Sequence, residues 1–207
     1  MNWMLDRRNL LKAGGMAIAA AALPTRVFAQ ASPLSQRDRT ILDIAKREVD
    51  RAGNVLWRTD VAGIADFGVH SSLPRFHFAN LENGSVRSFL VSHGVGSDAE
   101  HDGWLKTFSN VEGSNATSRG AYVTWEWYKG RYGTSIRLGG LDPENSAALP
   151  RAIVMHSANY ARPEHVAQYG RLGRSNGCFA MAPDDFREAL WNLSGGRLLF
   201  ADRLGLV

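Results

Sequence analysis

The chain has 207 residues, with 24 Lys and Arg against 20 Asp and Glu. Four of the basic residues (Arg7, Arg8, Lys12, Arg26) and one acidic residue (Asp6) fall in the first 29, which leaves 20 against 19 in the rest. The high overall pI therefore belongs mostly to the N-terminus and gives no support for a basic nucleic-acid-binding face. The remaining ~178 residues suit one domain with a full-sized core, and the sequence contains no repeat or low-complexity run.

Asp6-Arg7-Arg8-Asn9-Leu10-Leu11-Lys12 is a twin-arginine element, followed by an apolar segment from Ala13 to Leu23. Val27-Phe28-Ala29 is a small-residue cleavage signal, with Ala29-Gln30-Ala31 a second option. The apolar segment is too short to span a bilayer, which takes ~20 residues. Residues 1–29 are thus expected to be a twin-arginine signal peptide, cleaved after 29 or 31. The alternative is an uncleaved anchor. The mature protein is expected outside the cytoplasmic membrane, in the periplasm or cell envelope, with no stable membrane insertion.

Ser35-Gln36-Arg37-Asp38 opens a helix in capping-box fashion. Ile41, Leu42, Ala45, Val49 and Ala52 share one face, Glu48 and the other charged residues point away, and Gly53 stops the helix. From residue 61 short strands with glycine punctuation take over. Strands are expected over 61–67, 75–81 (Phe76, Phe78 and Asn80 on one face) and 86–92, the last two joined by a two-residue Asn83-Gly84 hairpin. Residues 121–128 and 135–138 form further strands, with a turn at Lys129-Gly130. Residues 152–155 form a short buried strand that ends at His156. Pro183 to Leu193 reads as a helix with Asp184 and Asp185 at its positive end, and residues 197–201 close the sheet. This pattern is a mainly β domain over 61–207 with short edge helices, preceded by one N-terminal helix over 34–53.

The chemistry concentrates in Gly173-Arg174-Ser175-Asn176-Gly177-Cys178, read with Val154-Met155-His156-Ser157. Cys178 is the single cysteine, so it cannot form a disulfide within the chain, as exported proteins usually do. A thiol nucleophile needs a base and backbone N–H groups to hold an oxyanion. His156 is the candidate base, and the Ser-Asn-Gly-Cys turn is the candidate oxyanion site. The pattern points to a cysteine acyl-transfer enzyme.

His156-Ser157, a loop, and then Ser175-Asn176-Gly177-Cys178 resemble the signature of the L,D-transpeptidase family, a histidine followed at a distance by Ser/Thr-His-Gly-Cys. Thr117-Ser118-Arg119-Gly120-Ala121-Tyr122 and Gly195-Gly196-Arg197-Leu198-Leu199-Phe200 resemble its flanking strands. Two departures stand out. Asn176 occupies the usual place of a second histidine, and the loop over 157–174 is slightly longer than usual. The resemblance implies an L,D-transpeptidase-like β-sandwich or barrel acting on peptidoglycan stem peptides. In that reading Cys178 attacks the diamino-acid carbonyl of a tetrapeptide, D-alanine leaves, and a second stem gives a 3→3 cross-link. His156 is then the base, Ser157 orients it through its carbonyl, and Gly177 and Cys178 supply N–H groups. Arg174 is the candidate for the leaving residue's carboxylate, in competition with Arg171 and Arg151. Ser175, Asn176 and Tyr122 complete the candidate substrate-binding set, and residues 157–173 are a candidate lid.

Three alternatives remain open. The same site could pass the acyl group to water, as an L,D-carboxypeptidase. His93, Asp98, His101 and Asp102 suggest a zinc peptidase, although their spacing fits no ligand signature. The tryptophans could mark a non-catalytic binding domain. No metal or cofactor is expected, the only partner expected is the stem peptide, and a monomer is the expected state.

Overall fold

A computed structural model describes residues 34–206; the signal segment and both cleavage points lie outside the described residues. Helix α1 spans Gln36–Ala52, and the Ser35 hydroxyl accepts the Asp38 N–H at 3.0 Å. This is one arm of the expected capping box. Gly53 takes φ 56°, open to glycine at little cost, and ends the helix. One residue on α1 departs from expectation. Glu48 is buried rather than solvated, because Arg47 and Arg51 close over it at 2.9 and 2.7 Å.

Eight strands follow in one sheet. They are β1 (Val61–Asp66), β2 (Phe76–Asn80), β3 (Ser85–Phe89), β4 (Gly120–Gly130), β5 (Gly133–Gly140), β6 (Val154–Ser157), β7 (Phe179–Met181) and β8 (Leu198–Asp202). Their spatial order is β3-β2-β1-β8-β4-β5-β6-β7. The last strand in sequence lies at the centre, parallel to β1 and antiparallel to β4. The two ends of the order meet, since the chain beyond β3 returns to β7 and Ser92 N–H donates to Ala180 O at 2.8 Å. The expected sandwich or barrel therefore takes the form of one sheet curled on itself.

Alternation along the strands sorts the two faces. Phe76, Phe78, Tyr122, Ile136, Leu138, Met155, Phe179 and Leu199 form one core with helix α3 (Pro183–Leu193), through Phe186, Ala189 and Leu193. On the opposite face Ile41, Ala45 and Val49 of α1 pack on Ala62, Ile64, Ala79, Val123 and Phe200. Helix α1 is thus part of the packed domain.

Several boundaries differ from those the sequence suggested. Register pairs Asn80 with Ser85, so the β2–β3 loop has four residues rather than two. The Asn80 side chain accepts the Glu82 and Asn83 N–H groups and holds that wider turn. The next hairpin turns at Arg131-Tyr132, two residues later than expected, with Gly130 opposite Gly133. β6 starts only at Val154, because Ala152 has a left-handed φ of 52°, and it runs on through His156 and Ser157, which pair with Ser135, Ala180 and Met181. Helix α2 (Pro163–Tyr169) and the short β7 were not anticipated.

Candidate active site

β6 and β7 are parallel neighbours, with His156 opposite Ala180. Phe179 points into the core, so by alternation Ala180 and the preceding Cys178 lie on the His156 side of the sheet. Ser135 and Arg137 of β5, opposite His156 and Val154, share that side. Two residues distant in sequence therefore share one side of adjacent strands, Cys178 standing just ahead of the first residue of β7.

The imidazole is buried, and its Nδ1–H donates to the Ser157 carbonyl at 3.0 Å. That bond, inferred from geometry, fixes the tautomer and leaves the Nε2 lone pair as the basic position. Burial holds His156 below the ordinary histidine value, opposed by the Ser157 carbonyl. Tyr132, in the β4–β5 turn, stacks on the ring with centroids 4.8 Å apart.

The Cys178 thiol is also buried, and it donates a long hydrogen bond to the Ala152 carbonyl at 3.7 Å. Burial pushes its pKa up, while the Val154 N–H and the positive charge of Arg151 pull it down. Both shifts favour the uncharged forms, a thiol and an imidazole.

The turn before Cys178 is tightly held. Ser175 Oγ donates to the Cys178 carbonyl at 2.6 Å and accepts the Gly177 N–H at 3.2 Å. The Ser175 backbone pairs with the 93–95 segment, Ser175 N–H to His93 O at 2.9 Å and Val95 N–H to Ser175 O at 2.8 Å. Gly177 has φ 110°, and a Cβ there would lie 2.8 Å from Ala116 O. Gly94 packs directly on it, since a Cβ at Gly94 would fall 2.7 Å from Gly177 Cα. Only glycine fits either position.

Under this turn lies a sealed charged cluster. Arg75, fully buried, donates to the Val91 and Val69 carbonyls and to His93 Nδ1 at 2.7 Å. His93 Nε2 then faces Asp98 Oδ2 at 3.2 Å, and Asp98 also accepts the Asp102 and Gly103 N–H groups. The metal ligands suggested by the sequence are thereby drawn apart. His101 Nε2 meets the Leu172 carbonyl at 3.0 Å, and Asp102 pairs with Lys106 at 2.7 Å. Among the described residues no three His, Cys, Asp or Glu side chains converge on a metal position.

The other expected site residues divide. Asn176 is exposed on the turn, and Ser157 is half-buried beside the imidazole. Tyr122 is not at a cleft. It is wholly enclosed in the core, with its hydroxyl donating to the Ser118 carbonyl at 2.7 Å, so it has no surface for a ligand. Arg174 turns its guanidinium onto the Asp98 and Ala99 carbonyls. Arg171 donates to the Tyr169 carbonyl at 3.3 Å, and Arg151 to the Ser109 and Ala116 carbonyls at 2.7 and 2.5 Å. The arginines named from the sequence are thus occupied with main-chain acceptors. Of the candidate lid, residues 163–169 are helix α2, and Gly173 packs on Tyr160. Sequence reasoning missed Tyr132, the Arg75–His93–Asp98 cluster and the placement of Arg151 beside Cys178. Only the Gly94 and Gly96 spacing hinted at a turn adjoining the site.

A model of the L,D-transpeptidase catalytic domain matches residues 36–201, and the chain belongs to that family. A model of the twin-arginine translocation signal matches residues 4–24, so the protein is exported to the periplasm or cell envelope. No helix among the described residues is long and apolar enough to cross a membrane. Comparison with curated proteins gives no match. Among solved structures, the chain is similar to an L,D-transpeptidase from Mycobacterium smegmatis, with 18% identity over 69% of this chain and 58% of that one, TM-score 0.41. It is also similar to an L,D-transpeptidase from Mycobacterium tuberculosis (14%, 69% and 57%, TM-score 0.43). A third is the helical cell shape determining protein Pgp2 from Campylobacter jejuni (12%, 82% and 57%, TM-score 0.44). The chain spans less than two thirds of each of these proteins.

Proposed function

We propose that the protein is a peptidoglycan L,D-transpeptidase in which Cys178 is the nucleophile. The observation that carries this reading is the placement of Cys178 and His156 on one side of neighbouring parallel strands, with the imidazole Nδ1–H tied to the Ser157 carbonyl. His156 Nε2 takes the thiol proton as Sγ attacks the carbonyl of the diamino acid in a stem tetrapeptide. The C–N bond to the terminal D-alanine breaks, and the imidazolium returns its proton to the leaving amine. The thioester left on Cys178 is resolved by the side-chain amine of a second stem, which forms the 3→3 link and restores the thiol.

Oxyanion stabilisation falls to the Ser175–Cys178 turn, at about 3 kcal/mol per donor. The Gly177 N–H is held by Ser175 Oγ at rest and must swing to the substrate, whereas the Cys178 N–H is carried by the same turn. The exposure of Asn176 at its tip supports a contact with substrate rather than a role as base. Ser175 acts from beneath by fixing the turn, and Arg174 braces it against the 98–99 carbonyls.

The test is mass spectrometry of disaccharide-tetrapeptide incubated with the signal-free protein and with Cys178→Ala. A 3→3 dimer formed only by the wild type supports the reading. Tripeptide alone, again dependent on Cys178, would make water the acceptor and the protein an L,D-carboxypeptidase. Product in both samples would remove Cys178 from the mechanism.

A further inference from the structure

A cavity of about 430 Å³ opens on the His156 side of the sheet, lined by Trp125, Tyr128, Arg137, Leu149, Ala152 and Val154 among others. It shares its wall with the nucleophile. The Ala152 carbonyl accepts from the Cys178 thiol at 3.7 Å, and the Val154 N–H favours the thiolate of the same residue. Arg137 stands directly opposite Val154 in the β5–β6 ladder, so its Cα lies ~5 Å from that of Val154. Its guanidinium lies over the Tyr128 ring, 4.9 Å from the centroid. It takes part in none of the ion pairs among the described residues. Arg174, Arg171 and Arg151, by contrast, spend donors on main-chain carbonyls.

A half-exposed cation pre-oriented by an aromatic face, beside a nucleophile that attacks peptides, has the chemistry of a carboxylate grip. We infer that Arg137 binds the terminal carboxylate of the stem peptide, in a subsite formed by the Tyr128 ring and the Ala152–Val154 wall. This rests on the function proposed above. The terminal D-alanine carboxylate is two bonds beyond the leaving nitrogen, so a carbonyl at Cys178 Sγ puts it within one residue's length of the thiol. A small cavity with one cation suits that single residue and its single charge. The rest of the substrate, bearing the glycan, needs an open exit instead.

The test compares wild type, Arg137→Gln and Arg137→Lys on a tetrapeptide ending in D-alanine and on the same peptide ending in D-alaninamide. Wild type is expected to favour the carboxylate by about 100-fold in kcat/KM, the scale on which a charge-assisted pair is lost. Arg137→Gln should erase that preference by slowing the acid alone, with the amide within about 3-fold of wild type, and Arg137→Lys should fall between. Equal losses on both peptides, or an intact preference in Arg137→Gln, would overturn the inference. Calorimetry on Cys178→Ala separates the two levels of the argument. Binding of acid and amide alike sinks the Arg137 subsite alone, whereas binding of neither sinks the proposed function too.

Discussion

Two histidines lie close to the same turn and have opposite fates. His93 has both ring nitrogens committed, Nδ1 to Arg75 and Nε2 to Asp98, and is sealed beneath the turn. His156 has only Nδ1 committed, to a carbonyl of its own strand, and a tyrosine ring rather than a carboxylate beside it. Burial lowers the basicity of both. Burial alone therefore does not single out a candidate base. What sets His156 apart is a ring nitrogen with no partner among the described residues, on the same side of the sheet as Cys178. The His93 region spends its polar groups on fixing the Ser175–Cys178 turn; the His156 region keeps one in reserve.

That contrast can be broken in order of expected effect. Cys178→Ala should abolish turnover and leave the fold intact, because a buried thiol and a methyl group differ little in packing. Retained turnover in a muropeptide assay would refute the nucleophile. His156→Gln should slow acylation by about 10²–10⁴-fold with little change in urea midpoint, the range for a lost general base. His93→Leu should do the reverse. It strands buried Arg75 and Asp98, and the cost of separating such partners is about 3–5 kcal/mol, read as a lower urea midpoint. A His93→Leu protein with wild-type stability would remove the structural role argued for that cluster.

Smaller effects sharpen the picture. Arg151→Met should raise the pH at which Cys178 becomes reactive toward iodoacetamide, and Arg151→Lys should keep most of the wild-type profile, since the charge rather than the fork acts on the thiol. Identical profiles in all three would dismiss that charge. Stability should also depend on pH in a defined window. His77, buried and beside Arg37, is held down to about 4 against an ordinary 6.5, and His156 is shifted the same way. The unfolded chain therefore binds protons that the folded chain does not. Stability from these groups is full above pH ~6.5 and declines toward pH ~4, measurable as a falling urea midpoint.

Much of this was legible in the sequence where local chemistry sets the outcome. Ser35, Gly53 and Pro183 placed their helix ends, and the lone Cys178 in a Ser-x-Gly-Cys turn, with His156 upstream, singled out the candidate site. What could not be read depends on contacts between distant segments. The three-residue β7 is too short for periodicity and exists because β6 is there to pair with it. Tyr122 looked like a cleft residue from its motif, yet strand alternation turns it inward, against Phe179. Arg174 is captured by the carbonyls of a turn 75 residues earlier in the chain, and Arg137 is brought opposite Val154 only by the ladder that joins β5 to β6. Neither fact has a local signature.

In the proposed reaction Cys178, deprotonated by His156, carries the acyl group. Intact-protein mass spectrometry of the signal-free chain, quenched in acid soon after mixing with disaccharide-tetrapeptide, tests it most directly. The expected product is an adduct equal to the substrate less its D-alanine, mapped to Cys178, absent in Cys178→Ala and strongly delayed in His156→Gln. Release of D-alanine with no adduct at any time, or with the same adduct in Cys178→Ala, would contradict it.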